Sequence, residues 1–285
     1  MRNDFACFIF SHGRSKNVST LPLLRKIGYS GKIYIICDDE DDEIEEYKKL
    51  DSDGVIIFNK SSYMEWVDSC DNFDEHRALL YGRNAGYDIA KELGLKYFVQ
   101  LDDDYKEIKW RIPDYKNHKL LSLNIKNLDR VFEAYIDFLE VSGAYAIAFA
   151  QGGDFIGGIE NENVRKGLGR KCMNSWICKT DRRIYFLATM NDDVCTYVLR
   201  SQIGQLFFTE FSTCIKPAQT QKEKGGMTEI YLDRGTYQKS FYTVITSPSC
   251  CTIAMMGESH QRIHHSIDWN CCAPKILSPK YKKGA

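Results

Sequence analysis

The chain has 285 residues, of which 44% are hydrophobic and 27% charged, with a formal net charge of −1. This is the composition of an ordinary globular protein with a large core; it excludes collagen-like and low-complexity chains, and any polyanion must be met by a local patch rather than a global basic field. Eleven cysteines form no Cys-x-x-Cys pair, no secretory core precedes the fold, and no apolar run approaches the ~20 residues of a membrane span, so free thiols in a reducing cytoplasm and no membrane contact are expected.

The first hundred residues alternate strand and helix signals. An apolar strand, Phe5–Phe10, is broken by Ser11-His12-Gly13-Arg14; residues 17–27 read as a helix, and 32–37 as a second strand ending at Asp38-Asp39. The charged residues 41–50 read as an exposed helix and 54–58 as a third strand. Arg83-Asn84 then open a helix that runs through Ala90 and Leu93 and closes at Gly94. A guanidinium there, beside Gly82 and free backbone N–H groups, could face a phosphate; the plainer reading pairs Arg83 with Glu75 or Asp88.

A fourth strand, residues 97–101, delivers Asp102, Asp103 and Asp104 to one spot. Adjacent carboxylates repel unless a cation or solvent relieves them. Residues two apart in a strand share a face, which sets Asp102 beside Asp104, where a Mg²⁺-like ion could bridge a diphosphate. Strand–helix alternation predicts an α/β fold, a mainly parallel sheet with helices on both faces, and a ligand crevice outside the carboxyl ends of its strands. Three polar clusters, at 11–14, 38–39 and 102–104, converge on that edge as a nucleotide-type site.

Beyond Tyr105 the alternation loosens. Asn127 caps an amphipathic helix with Leu128, Val131, Phe132, Tyr135, Ile136 and Leu139 on one side, ended by Ser142-Gly143; a buried strand over 144–150 leads to Gln151-Gly152-Gly153-Asp154. Residues 163–183 carry Arg165, Lys166, Arg170, Lys171, Lys179, Arg182 and Arg183 around Trp176, a candidate contact for a phosphodiester backbone or else a solvated loop. After a strand over 184–188 comes Asn191-Asp192-Asp193, an acidic pair that suits a general base or a helix N-terminus. His264-His265 arrive late, with His260 and Arg262 before them; an imidazole there could complete a metal shell begun by Asp104, which suits Mn²⁺.

Strand-end acids, an arginine near a helix start, a central aspartate cluster, a later acidic pair and a late histidine together resemble a GT-A glycosyltransferase, whose Asp-x-Asp motif meets the nucleoside diphosphate through a divalent metal. Ser11-His12-Gly13-Arg14, Gly82-Arg83-Asn84, Leu101 to Tyr105, Gln151 to Asp154, Thr220-Gln221 with Gly225 to Thr228, Gly235 to Tyr242, and Arg262 to His265 resemble more narrowly the TET-associated glycosyltransferases, phage-borne relatives of the enzyme that makes glucosylated base J. Two positions depart from that pattern: His12 replaces an arginine or small polar residue, and Asn191-Asp192-Asp193 replaces an acid pair beginning with Glu.

The resemblance implies a single GT-A domain, with a nucleotide-sugar-binding half over 1–110 and an acceptor-binding half over 111–285. It implies transfer of a sugar, most often glucose from UDP-glucose, to a 5-hydroxymethylpyrimidine in DNA, with Mn²⁺ or Mg²⁺, in a host cytoplasm. Carried over by position, Ser11, Gly13 and Arg14 line the donor site, Asp38 or Asp39 meets the nucleobase, Arg83 the diphosphate or uracil edge, and Asp102, with Asp103 beside it, the ribose. Asp104 and one of His264 or His265 hold the metal, and Asp193 or Asp192 is the base if the anomeric centre inverts. Arg170, Lys171, Arg182, Arg183, Lys239 and the tail residues Lys280, Lys282 and Lys283 would face DNA. The competing readings are a GT-A enzyme acting on a polysaccharide or protein, a nucleotidyltransferase, for which the stretch 11–16 has too little glycine, and a non-catalytic DNA-binding module.

Overall fold

All six residues of β1 (Phe5–Phe10) are buried, yet they serve two cores. Phe5, Cys7 and Ile9 join one apolar cluster, and Ala6, Phe8 and Phe10 the other. Successive strand side chains point to opposite faces, so a strand covered on both sides reads as a continuous apolar run. The computed structural model describes residues 1–65, 67, 79–218, 238–256 and 261–274. The motif stretches 220–221, 225–228 and 235–237, along with Glu75, His260 and the lysines of the tail, lie outside the described residues.

The elements follow as α1 (Thr20–Lys26), β2 (Lys32–Asp38), α2 (Ile44–Tyr47), β3 (Gly54–Phe58), α3 (Leu80–Glu92), β4 (Tyr97–Asp102), β5 (Tyr105–Asp114), β6 (Lys119–Asn124) and α4 (Leu128–Ser142). After them come β7 (Ala146–Gln151), α5 (Glu162–Lys166), β8 (Leu168–Gly169), β9 (Trp176–Lys179), α6 (Asp192–Gln202), β10 (Phe207–Pro217), α7 (Gln238–Thr246), β11 (Cys251–Met256) and β12 (Arg262–Ile267). One sheet takes the order β3-β2-β1-β4-β9-β7-β10-β5-β6, with β8 beside β10, while β11 and β12 form a separate ribbon. β1 to β4 are mutually parallel, as are β7 and β10; β9 and β5 run against their neighbours. Helices α1 and α4 cover one face through Leu21, Leu24, Phe132 and Ile136, and α3 and α6 the other through Leu80, Ala85, Val194 and Tyr197. The expected α/β architecture, mainly parallel with helices on both faces, is therefore what the chain adopts.

Several elements differ from the sequence reading, each for a local reason. The first helix starts at Thr20 rather than 17, because Pro22 is tolerated only within a first turn and the hydroxyls of Ser19 and Thr20 are already bonded to the carbonyls of Tyr105 and Asp102. Of the acidic run 41–50 only α2 is helical: Asp41 and Glu43 accept from the backbone N–H groups of Gly13 and Ser15, which holds that stretch against the β1 loop. Strands β5 and β6 pair as a hairpin that the reading passed over, although Ile108, Trp110 and Ile112 alternate as a strand requires.

Residues 184–188 are buried at Ile184 and Phe186, but apart from a single bridge at Ala188 they form no strand and do not join the sheet as predicted. Their partner is a side chain. The amide of Asn84 donates to the Phe186 carbonyl at 2.8 Å and accepts from the Phe186 N–H at 3.0 Å, which does the work of a neighbouring strand. Asn84→Ala would leave both backbone groups buried and unpaired, and we expect a loss of about 2 kcal/mol or more in urea unfolding; an unchanged midpoint would mean that the segment does not depend on α3.

Candidate active site

Strand β9 pairs with β4 from Tyr97 to Gln100 and begins at Trp176, so Leu101 and Asp102 run on past it at the carboxyl edge of the sheet. The turn that follows is clamped from α1. The Thr20 hydroxyl donates to the Asp102 carbonyl at 2.6 Å and accepts from the Tyr105 N–H at 3.0 Å, while the Thr20 N–H reaches the Asp103 carbonyl at 3.0 Å. Within the clamp the acids part as strand periodicity demands. Asp103 turns inward and accepts from Ser11 Oγ at 2.5 Å, with Arg14 Nη1 at 3.4 Å. Burial raises its pKa, and the Ser11 hydroxyl and Arg14 oppose that. Asp103 thus fastens the β1 loop to the β4 turn rather than facing outward to a donor.

Asp102 turns the other way, toward a buried cation. Arg83 is 1% exposed and sits in the first turns of α3, not ahead of the helix as its place in the sequence suggested. Its guanidinium lies 3.0 Å from Asp192 Oδ2, 3.3 Å from Asp193 Oδ1 and 3.6 Å from Asp102 Oδ1. The rings of Trp176 and Phe186 stand 5.8 and 5.7 Å from Cζ. A guanidinium so enclosed is an interior counter-ion, with Nη1 buried and without a hydrogen-bond partner. Burial holds Asp102 well above the usual carboxylate range, aided by Asp104, Asp193 and Asp192 and opposed by Arg83.

The later acidic pair occupies the first turn of α6, behind Asn191 in the left-handed region at φ 53°. The two aspartates have different surroundings. Asp193 accepts from the Asn174 N–H at 2.7 Å and the Trp176 indole N–H at 2.8 Å, and its side chain is 8% exposed. The Asp192 side chain is 22% exposed, and its Oδ2 has no hydrogen-bond partner. Burial and the Asp193 carboxylate push Asp192 up to about 6 against the pull of Arg83.

At the neighbouring strand ends, His12 Nδ1 meets Asp38 Oδ2 at 2.9 Å, and that hydrogen bond raises the imidazole pKa against burial. Burial pushes Asp38 up, but His12 and Lys60 outweigh it and hold the carboxyl low. Asp39 accepts from the Asn59 amide at 2.7 Å and the Lys60 N–H at 2.9 Å, so it ties β2 to the end of β3. The loop glycine, Gly13, has φ +62° and open space where a Cβ would stand; a side chain there would be strained, not crowded.

His264 and His265 lie on β12, their rings 4.3 Å apart. His264 Nδ1 lies 2.9 Å from the His265 carbonyl, an acceptor only, which leaves Nε2 as a lone-pair donor. Burial, His264 and Lys239 push His265 down to about 4. Lys239, on α7, is lowered by burial and by Arg262, and so belongs to this group. Among the described residues no three His, Cys, Asp or Glu side chains gather as a metal cage.

The basic strip 163–183 is not one patch. Arg170 stacks 5.4 Å over Trp269, and Lys171 bridges to Asp154 near the carboxyl end of β7. Arg182 and Arg183 follow Lys179, which pairs with Tyr97 at the opposite end of β4 from the aspartates. Arg182 donates to the carbonyls of Leu139 and Ala144 at 2.6 and 2.9 Å, and Arg183 grips Asp88. Strand β9 thus carries both away from the acidic edge. A cavity of about 770 Å³, lined by Trp110, Tyr135, Phe138 and Glu210, opens between α4 and strands β5 and β10 and includes none of the acidic residues above.

The family model of the TET-Associated Glycosyltransferase matches residues 5–226. The chain belongs to this family. It is accordingly a glycosyltransferase, and the matched span includes the loop 11–14, Arg83, the aspartate turn and the pair Asp192-Asp193, but stops short of His264. No curated protein matches. Among solved structures, the family member is similar to glucosyl-3-phosphoglycerate synthase from Mycobacterium tuberculosis, solved with Mn²⁺, UDP and phosphoglyceric acid, at 8% identity and TM-score 0.44 over 93% of this chain and 87% of that one. It is also similar to GalNAc-T7, solved with UDP, GalNAc and Mn²⁺, at 11% identity and TM-score 0.46 over 85% of this chain and 47% of that one, about half of its length.

Sequence reasoning missed Thr20, Asn174 and the true partner of Trp176. The last had only a general signal: a tryptophan that folds inward needs an acceptor for its indole N–H. Arg182→Ala should lower stability by about 1.5–3 kcal/mol, since it strips a charged donor from two carbonyls, and should leave DNA affinity at the wild-type value in an anisotropy titration. Weaker DNA binding with unaltered unfolding would return it to the acceptor surface.

Proposed function

We propose that this glycosyltransferase moves a sugar, glucose from UDP-glucose in the first instance, onto the hydroxymethyl group of a 5-hydroxymethylpyrimidine in DNA, in the cytoplasm of a phage's host and with a divalent cation bound. The observation that carries this reading is the convergence of Asp102, from a strand end, with Asp192 and Asp193, from a helix start, at one edge of the sheet. Three carboxylates share one guanidinium, which leaves the edge with more negative than positive charge. A crevice with that excess of negative charge suits a cation.

In this reading Asp104 and His264 would hold Mn²⁺ or Mg²⁺. Asp104 offers a hard oxygen and His264 a free Nε2, with the rest of the shell left to diphosphate oxygens and water, as ions of this size prefer. When bound, the cation supplies positive charge to the departing diphosphate. The chain itself does the rest. Asp102 takes the ribose hydroxyls, the open backbone at Gly13 admits the diphosphate, and the Asp192–Asp193 pair receives the proton of the acceptor hydroxyl. In this division residues 1–110 handle the donor and 111–285 the acceptor within one domain, and Arg170 and Lys239 are the basic residues this reading assigns to DNA.

A second reading, the same transfer to a polysaccharide or protein, has one observation in its favour: much of the basic strip is neutralised internally, Arg165 by Glu160, Lys166 by Glu162, Lys171 by Asp154 and Arg183 by Asp88. Among the described residues no helix is long and apolar enough to cross a membrane, so neither reading is anchored by one. Mass spectrometry of nucleosides separates the two. Hydroxymethylated DNA incubated with UDP-glucose and Mn²⁺ should yield a hexosylated pyrimidine nucleoside, and Asp104→Ala should lose it. Release of UDP with unmodified nucleosides would favour the second acceptor class.

A further inference from the structure

We infer that Asp192 is the catalytic base of the transfer, and that Arg83 and Asp193 form the clamp that positions it. This rests on the glycosyl-transfer reading and deepens it by choosing between two adjacent acids. Both stand in the first turn of α6, yet the lone pairs of Asp193 are spoken for: Oδ1 receives the Trp176 indole N–H, Oδ2 the Asn174 N–H, and the guanidinium of Arg83 lies 3.3 Å from Oδ1. A carboxylate held on both oxygens is fixed in place and has little left for a substrate proton. Asp192 Oδ2 is buried 3.0 Å from the Arg83 guanidinium, but the Asp192 side chain is 22% exposed against 8% for Asp193, so the rest of its carboxylate is the part open to a substrate.

Arg83 supports this arrangement from the interior. It lies in the first turns of α3, reaches acids on β4 and α6 through Nε and Nη2, and is enclosed by Trp176 and Phe186. Its fork holds the α6 acids at a set distance from Asp102, which a compact ammonium on a flexible stem would not do as well. The groups facing Asp192 electrostatically are Asp193 from its own helix and Arg83 from α3, while Asp102 from β4 and Tyr105 from β5 face the same guanidinium. Burial and Asp193 push Asp192 up to about 6, and a base poised near the working pH both holds its charge and accepts a proton readily.

The chemical step balances as a single displacement. The acceptor oxygen forms a bond to the anomeric carbon as the bond from that carbon to the diphosphate breaks; the electron pair leaves with UDP, and the hydroxyl proton passes to the exposed side of the Asp192 carboxylate. The product has the inverted anomeric configuration. Because the proton goes to Asp192, activity must fall as pH drops through the pKa of that group, about 6 in the free protein. Arg83 pulls that value down, so its removal must move the acid limb upward.

The test measures the pH dependence of kcat for transfer from UDP-glucose to duplex DNA containing 5-hydroxymethylcytosine, and of UDP-glucose hydrolysis in parallel, each with Mn²⁺. Binding of UDP by calorimetry serves as the check on folding. Asp192→Asn should cut kcat by about 10² to 10⁴ and leave UDP affinity within a few-fold. Asp193→Asn should cut kcat less, and its residual activity should keep an acid limb. Arg83→Gln should shift that limb up by about 1 unit or more, and Arg83→Lys should bring it back while kcat stays low.

A purely structural Arg83 would lower kcat in both variants without moving the limb, which would overturn the positioning role. An Asp192→Asn variant as active as wild type, or a product with retained configuration, would overturn the base. If wild type hydrolyses UDP-glucose yet leaves DNA unmodified, the DNA acceptor fails, and the same pH series on hydrolysis still decides between Asp192 and Asp193.

Discussion

A guanidinium taken out of water is costly by several kcal/mol unless it is compensated nearby, and Arg83 is compensated by acids from two other elements. Asp102 comes from β4, Asp192 and Asp193 from α6, and the cation itself from α3. None of these elements can shift without uncovering a buried charge. The same arrangement explains why Trp176 is turned inward at the start of β9: its ring lies against Arg83 and its N–H against Asp193. The acidic edge is thus built around its cation, and breaking such a cluster from either side typically costs about 3–5 kcal/mol.

The second constraint is the turn after β4. Strands β4 and β5 are joined by Asp103 and Asp104 but do not pair with each other, since β5 lies against β10 and β6. A turn that must carry the chain across the sheet has no ladder of its own to hold it. The Thr20 hydroxyl and N–H take over, bonding backbone groups at 102, 103 and 105. Asp103 completes the fixing by gripping Ser11 and Arg14. One of the three aspartates is therefore spent on structure, and Asp102 is left to turn toward Arg83.

These cases mark how far the sequence could be read. Strands β1 to β4 were legible because each is apolar throughout and bounded by turn residues, and α4 because Asn127 and Gly143 cap it, the one accepting from the Arg130 N–H and the other adopting φ 71°. The edge on which the acids meet followed from the alternation of elements. What was not legible depended on contacts between residues far apart. Nothing near position 83 announces that its partners lie at 102, 192 and 193, and nothing near 184 shows that Asn84 will stand in for a strand. Charge runs misled for a related reason. The acids of 41–43 and the bases of 163–183 looked solvated, yet Asp41, Glu43, Arg182 and Arg183 each found a partner in the fold.

Two demands meet at the start of α6, and they conflict. The fold needs ionised acids there, because Arg83 must be neutralised and a helix N-terminus favours negative charge. Proton transfer needs an acid that will accept a proton at working pH, which is the opposite preference. A single aspartate could satisfy both only poorly, since every hydrogen bond that fixes it also takes up a lone pair. Two adjacent aspartates resolve this by separating the tasks. Asp193 takes the indole and backbone N–H groups, and its charge in turn helps burial to raise Asp192 to about 6. The anchoring residue thereby tunes its neighbour, and the doubled acid at this helix start follows from that need.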